Sequence, residues 1–185
     1  MTERYIPNMI YKNIPEFLKY RKVVIDPKYE FMPEDELIKH LRHYEYVKIS
    51  GTRTDKHGTR PFFIILIAPG SKYAINTPQF KKIFGTIKDT DLDSKAEIVI
   101  ISEQPLTNFI KHQIRTEKTE HPGIYIENYE YKMFAIVIPN HIMVPKHIIM
   151  EDAEVAEFCT NFHTQPSRMD KILVTDPPVV WLGAR

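Results

Sequence analysis

Phe62-Phe63-Ile64-Ile65-Leu66-Ile67-Ala68 is an unbroken apolar run, rich in β-branched and aromatic residues and too short for a typical helix. Such a run reads as a strand buried on both faces, and a strand of that kind needs helices on each side of its sheet. Ala96 to Ile101 has the same character and supplies a second covered strand. Gly123 to Ile126 and Met133 to Ile138 complete the predicted strand set, and Glu45 to Ile49 has a strand-like rhythm ahead of them.

The segments between these strands have helical spacing. Thr77 and Pro78 form a good start signal, and Phe80, Ile83, Phe84 and Ile87 make the apolar stripe that follows. Pro105 opens another predicted helix, with Leu106, Phe109, Ile110 and Ile114 on one side. Nearer the N-terminus, Ile14 to Val24 reads as a helix with Pro15 in its first turn and Phe17, Leu18 and Val24 turned inward; residues 1–13 read as a loose lead-in. A further helix follows Pro33, with Leu37, Ile38, Leu41 and Tyr44 opposite Glu34, Lys39 and Arg42. Helices alternating with covered strands predict an α/β (α+β) fold, an N-terminal domain of residues 1–138 built on a mixed sheet. The composition changes at Pro139. Residues 139–185 read as a small mixed C-terminal domain holding one isolated helix, Glu151 to Phe162, with Val155, Phe158, Cys159 and Phe162 on its face.

With 185 residues, 43% of them hydrophobic, the chain can bury a core in one or two domains. The 25 Lys and Arg against 24 Asp and Glu give a net charge of +1, so any contact with nucleic acid must be a local patch. One cysteine excludes an intramolecular disulfide and a multi-cysteine zinc site. The N-terminus lacks the apolar core of a signal peptide, and the run at Phe62 is far short of the ~20 residues that span a bilayer, so the expectation is an intracellular protein with no membrane partner.

Several constellations resemble sites and fall short of them. Asp89, Asp91 and Asp93 imitate a calcium loop, but Ser94 stands where its glycine is needed and Ile100 where its bidentate glutamate is needed. His40 and His43 lack a further ligand, and Cys159, four residues before His163, lies on the apolar stripe of its own helix. Ala68-Pro69-Gly70-Ser71-Lys72 lacks the second glycine of a phosphate loop. No metal, cofactor or small-molecule ligand is therefore expected. Glu97 and Glu103, in and just past a strand, carry the alternative reading of a stand-alone nuclease-like enzyme, without the lysine companion such a site uses. The polar stretch Ser50 to Arg60 reads as a loop, and Arg53, Lys56 and Arg60 within it are candidate contacts to DNA phosphates.

Two runs near the C-terminus read as rigid, apolar recognition surfaces. In His141-Ile142-Met143-Val144-Pro145-Lys146-His147, Pro145 fixes its own φ and holds Val144 extended. In Asp176-Pro177-Pro178-Val179-Val180-Trp181-Leu182-Gly183, the carboxylate of Asp176 is placed to cap a short helix and Trp181 is the apolar anchor. The order His-x-x-Val-Pro-Lys-His, a charged amphipathic helix, then Lys-Ile-x-x-x-Asp-Pro closing on Leu-Gly resembles the C-terminal domain of the fifth subunit of eukaryotic-type DNA-directed RNA polymerases and its archaeal counterparts. The spelling of the last ten residues is most similar to the versions of large double-stranded DNA viruses.

The resemblance implies a non-catalytic polymerase subunit. Its C-terminal domain would dock on the largest subunit through His141, Val144, Pro145, Lys146, His147, Asp176, Pro177, Pro178, Trp181, Leu182 and Gly183. Its N-terminal domain would form a jaw meeting downstream DNA only within the assembled complex. The implied setting is the nucleus or viral factory of an infected cell, or the virion. Family members continue past the closing glycine with a Pro-Gly-Asp-like turn and further strands, whereas this sequence stops at Arg185. The expectation is a short mature protein or an incomplete chain, with an open edge at the strand before that turn.

Overall fold

The computed structural model describes residues 6–55, 58–70, 75, 77–88 and 95–184, with the backbone alone at 86–88. The chain divides into two compact units, Met1–Ile136 and Val137–Arg185. The first is a mixed α/β layer. Strands β1 (Val23–Ile25), β2 (Tyr46–Asp55), β3 (Gly58–Ile67), β4 (Ala96–Ser102) and β5 (Ile124–Glu130) lie side by side in chain order. The first three are antiparallel neighbours, while β4 and β5 join them in parallel.

Parallel neighbours need crossovers, and α3 (Thr77–Lys88) and α4 (Asn108–Glu120) provide them. Successive crossovers of one hand put both helices on one face of the sheet. There Phe80, Ile83 and Phe84 of α3 and Ile110 and Ile114 of α4 pack with Phe63, Ile65, Ile98 and Ile100. Phe62, Ile64, Leu66, Val99 and Ile101 point the other way and are also buried. Helices α1 (Ile6–Tyr20) and α2 (Glu34–Tyr44) cover that side, burying Ile10, Ile14, Phe17, Leu37 and Leu41. The continuous apolar reading of β3 and β4 follows from this double cover.

Gly51 is required where β1 meets β2. A Cβ there would lie 2.6 Å from the Val24 carbonyl oxygen and 2.9 Å from Val23 Cγ1.

Several expectations are corrected. The first helix starts at Ile6, so residues 6–13 are not a lead-in; Pro7 occupies its first turn and Pro15 lies in its interior. Val24 is in β1 and exposed, and Tyr44 is exposed at the end of α2. Thr107, two residues after Pro105, caps α4 by accepting from Ile110 N–H, and Phe109 points outward. Met133 to Ile138 forms no strand; a 3₁₀ turn, Tyr131–Met133, follows β5 directly. The segment 50–60 is not a polar loop, because β2 and β3 pair continuously from Tyr46↔Ile67 to Asp55↔Gly58.

The second unit holds α5 (Asp152–Asn161), α6 (Pro177–Leu182) and 3₁₀ turns at Ile138–Asn140 and Pro166–Arg168, with no strand among its described residues. Helix α5 starts with a Glu154 carboxylate accepting from Glu151 N–H at 2.6 Å. It buries none of its residues. Among the described residues, no helix is long and apolar enough to cross a membrane.

Candidate docking surface

The two C-terminal runs have opposite fates. Helix α6 exists because Pro177 and Pro178 fit its first turn and Gly183, at φ 66°, closes it in the left-handed conformation. The cap expected of the Asp176 side chain is absent. Prolines at the first two helical positions have no N–H to offer it, so only the backbone carbonyl of Asp176 is used, accepting from Val180 N–H at 2.9 Å. The helix lies against the Ile138–Asn140 turn. Its Val179, Val180 and Trp181 are buried, and Trp181 is 0% exposed. Trp181 is therefore a packing residue of this chain and not a protruding anchor; Leu182 is half-buried, as are Asp176, Pro177 and Pro178.

The run 141–147 is presented to solvent. It turns tightly: Val144 N–H donates to the His141 carbonyl at 2.9 Å, and Met143 N–H donates to His141 Nδ1 at 3.2 Å. His147 Nδ1 lies 2.6 Å from the Pro145 carbonyl oxygen. These local bonds, with the fixed φ of Pro145, hold the run in shape without strand pairing. Val144 is half-buried, whereas Ile142 is 93% and Met143 80% exposed, and Lys146 is also exposed. Ile148, Ile149, Ile172, Leu173 and Val174 add further exposed apolar surface. Ile142 and Met143 escaped the sequence reading, which followed the proline; two large apolar side chains immediately before Val-Pro were the available signal.

The proposed DNA contacts fare differently. Arg53 and Arg60 are cross-strand partners, and both converge on Glu97, which is 1% exposed. Arg53 Nη1 donates to Glu97 Oε2 at 3.1 Å, Arg60 Nε donates to Glu97 Oε1, and Arg60 Nη2 donates to Asp55. These guanidiniums are committed inside the sheet, because two like charges directly opposite each other require a counter-charge between them. The phosphate-contact reading of Arg53 and Arg60 is thereby corrected. Lys56 lies outside the described residues, as do Asp89, Asp91, Asp93, Ser71 and Lys72. Glu97, thus paired, and Glu103, which accepts from Gly70 N–H at 2.9 Å, are not brought together as metal ligands.

A second buried pair, Arg21 with Glu127, ties the end of α1 to β5, with the Arg21 guanidinium 4.7 Å over the Phe17 ring. Burial, then the neighbouring Glu127 charge, pushes the Tyr129 phenol up to about 12, with Arg21 pulling the other way. Tyr131 donates to the Ile67 carbonyl, and its phenol is raised well above the usual range, chiefly by burial.

Residues 136–185 match the family described as RNA polymerase Rpb5, C-terminal domain. The chain is similar to the DNA-directed RNA polymerase RPB5 homolog of African swine fever virus, 29% identical over 181 residues, covering 95% of this chain and 84% of the relative. It is also similar to the DNA-directed RNA polymerases I, II, and III subunit rpabc1 of Dictyostelium discoideum, 27% identical over 59% of this chain and 53% of that one. Over 50 residues, 27% of this chain, it is 36% identical to subunit Rpo5 of Nitrosopumilus maritimus, covering 60% of that protein.

Proposed function

We propose that this chain, which belongs to the family of fifth subunits of DNA-directed RNA polymerases, works as a non-catalytic subunit that docks on the largest polymerase subunit through its C-terminal unit. The observation that carries the reading is the run 141–147. It falls within the matched Rpb5 domain and holds exposed Ile142 and Met143 on a backbone stiffened by Pro145. A stiff backbone loses little entropy on binding, so its apolar contacts are converted efficiently into affinity. Lys146 and His147 supply a polar rim, and the segment Asp176–Gly183 supports the surface from within through α6. The likeness to viral relatives supports work in an infected cell, in its nucleus or viral factory, and carriage in the virion.

The N-terminal unit, in this reading, forms a jaw beside downstream DNA in the assembled enzyme. Arg53 and Arg60 do not serve it as phosphate contacts, and their role is to hold the β2–β3 hairpin. A native pull-down through this chain, read by mass spectrometry, tests the proposal. Recovery of the largest polymerase subunit in equal amount supports it. Recovery of the chain alone, together with magnesium-dependent cleavage of DNA or RNA lost in Glu97→Gln, would overturn it in favour of the nuclease-like alternative.

A further inference from the structure

A groove of about 550 Å³ runs between α3 and α4, on the side of the helical layer away from the sheet. Phe80 and Phe84, stacked at 4.3 Å, lie at its base. Phe109 stands in its wall 60% exposed, an aromatic ring that its own chain leaves bare. The volume is that of a ligand-binding cavity and far above what a packing defect leaves.

Gly85 makes this groove more than an uncovered seam. It sits in the interior of α3, where glycine is the least favourable residue short of proline because it must give up the most backbone freedom. The usual reasons for such a glycine are absent: its φ is not positive, and a Cβ built on it would meet nothing within 4 Å. The fold therefore has room for a side chain there and does not use it, while the same glycine lines the groove. A backbone kept bare over an open groove leaves space for something that approaches closely from outside.

The charges indicate what that is. The α4 wall ends in Glu117 and Glu120, and with His121 their ligating atoms lie within 4.8 Å of one another. Lys81 on α3 is the one lysine or arginine lining the groove among the described residues. Two carboxylates held that close favour a cation at the end of the groove. We infer that the α3–α4 groove receives a polypeptide segment of another polymerase subunit that carries an apolar side chain for the Phe80, Phe84 and Phe109 surface and a lysine or arginine for Glu117 and Glu120. This is recognition by an apolar groove with a charged end, apolar contact supplying affinity and the charge fixing direction. The inference rests on the polymerase-subunit reading for the identity of the partner and names a surface that the C-terminal docking run does not include.

The test uses the assembled enzyme purified through this chain, with carbene footprinting of Phe109, alongside the isolated chain. In the parent, labelling of Phe109 should fall at least fivefold on assembly. Gly85→Trp, which fills the groove from a helix position with open space, should leave the melting temperature of the isolated chain no lower than the parent's. The same variant should still assemble through its C-terminal unit but give up one peptide cross-linked at position 109 in the parent by a photoreactive phenylalanine. Glu117→Lys combined with Glu120→Lys should lose the same cross-link. Equal labelling of Phe109 in isolated and assembled parent would overturn the inference while leaving the polymerase reading intact, whereas absence of any polymerase in the purification would overturn that reading first. Protection of Phe109 by zinc ions alone, with no cross-link to a polypeptide, would assign the carboxylates to a metal ion and contradict the peptide.

Discussion

Arg60 donates through Nε to Glu97 Oε1 across the β3–β4 pair, joining two side chains that are 12% and 2% exposed. Arg53 reaches the other oxygen of the same carboxylate, so one acid holds two bases that face each other across the hairpin. Removing the acid alone leaves both guanidiniums close together with little water. Glu97→Gln should therefore cost about 3–5 kcal/mol of stability, the penalty for breaking a buried ionic group from one side. Urea unfolding measures it, and a loss below about 1 kcal/mol would show that water, not Glu97, neutralises the pair.

Gly51→Ala should separate β1 from the sheet without unfolding the rest. The new methyl would overlap the Val24 carbonyl oxygen, a backbone atom that cannot rotate away, and β1 is held by only three paired residues. A cost of about 1–3 kcal/mol is expected for such an overpacked contact. Amide hydrogen exchange should accelerate at Val23 to Ile25 and stay slow at Ile64 to Leu66.

Tyr129 gives the fold an alkaline limit. Its phenol rises from an ordinary 10.0 to about 12, so the folded state holds the proton more tightly than the unfolded chain does. The stabilisation is complete below about pH 10 and is lost as pH rises toward about 12, because only the unfolded state gains by ionising in that window. Discounted for partial exposure, the loss is about 1–2 kcal/mol. Tyr129→Phe should flatten this limb of the stability–pH curve, and an unchanged slope would place the titration elsewhere.

Burial on both faces was legible in Phe62 to Ala68 and Ala96 to Ile101 because double cover demands uninterrupted apolar residues, and the structure buries both. The hairpin end was not, since residues 52–60 pair beyond the apolar layer, where threonine and arginine satisfy a ladder as well as a loop. The convergence of Arg53 and Arg60 on Glu97 depends on register, which no local pattern specifies. In α1 the proline nearer the stripe drew the start to Ile14, although Ile10 and Tyr11 already continue the same stripe toward Pro7. For Trp181, Pro-Pro-Val-Val-Trp is equally compatible with an anchor turned outward and a plug turned inward. Only the placement of α6 against the Ile138–Asn140 turn distinguishes them.

The central claim is that the exposed run 141–147 makes the contact with the largest subunit while Trp181 maintains the unit that presents it. Its most direct test is a paired comparison of Ile142→Ser with Met143→Ser, made together, against Trp181→Ala, with melting of the isolated chain and affinity for the largest subunit read on each. The double surface variant should melt within about 0.5 kcal/mol of the parent and bind weaker by about 2 kcal/mol or more, roughly thirtyfold. Trp181→Ala should instead destabilise the isolated chain by about 3–5 kcal/mol, as loss of a large buried ring does. A double variant that binds as tightly as the parent, with a Trp181→Ala chain that melts normally yet fails to bind, would contradict the account and return the anchor to Trp181.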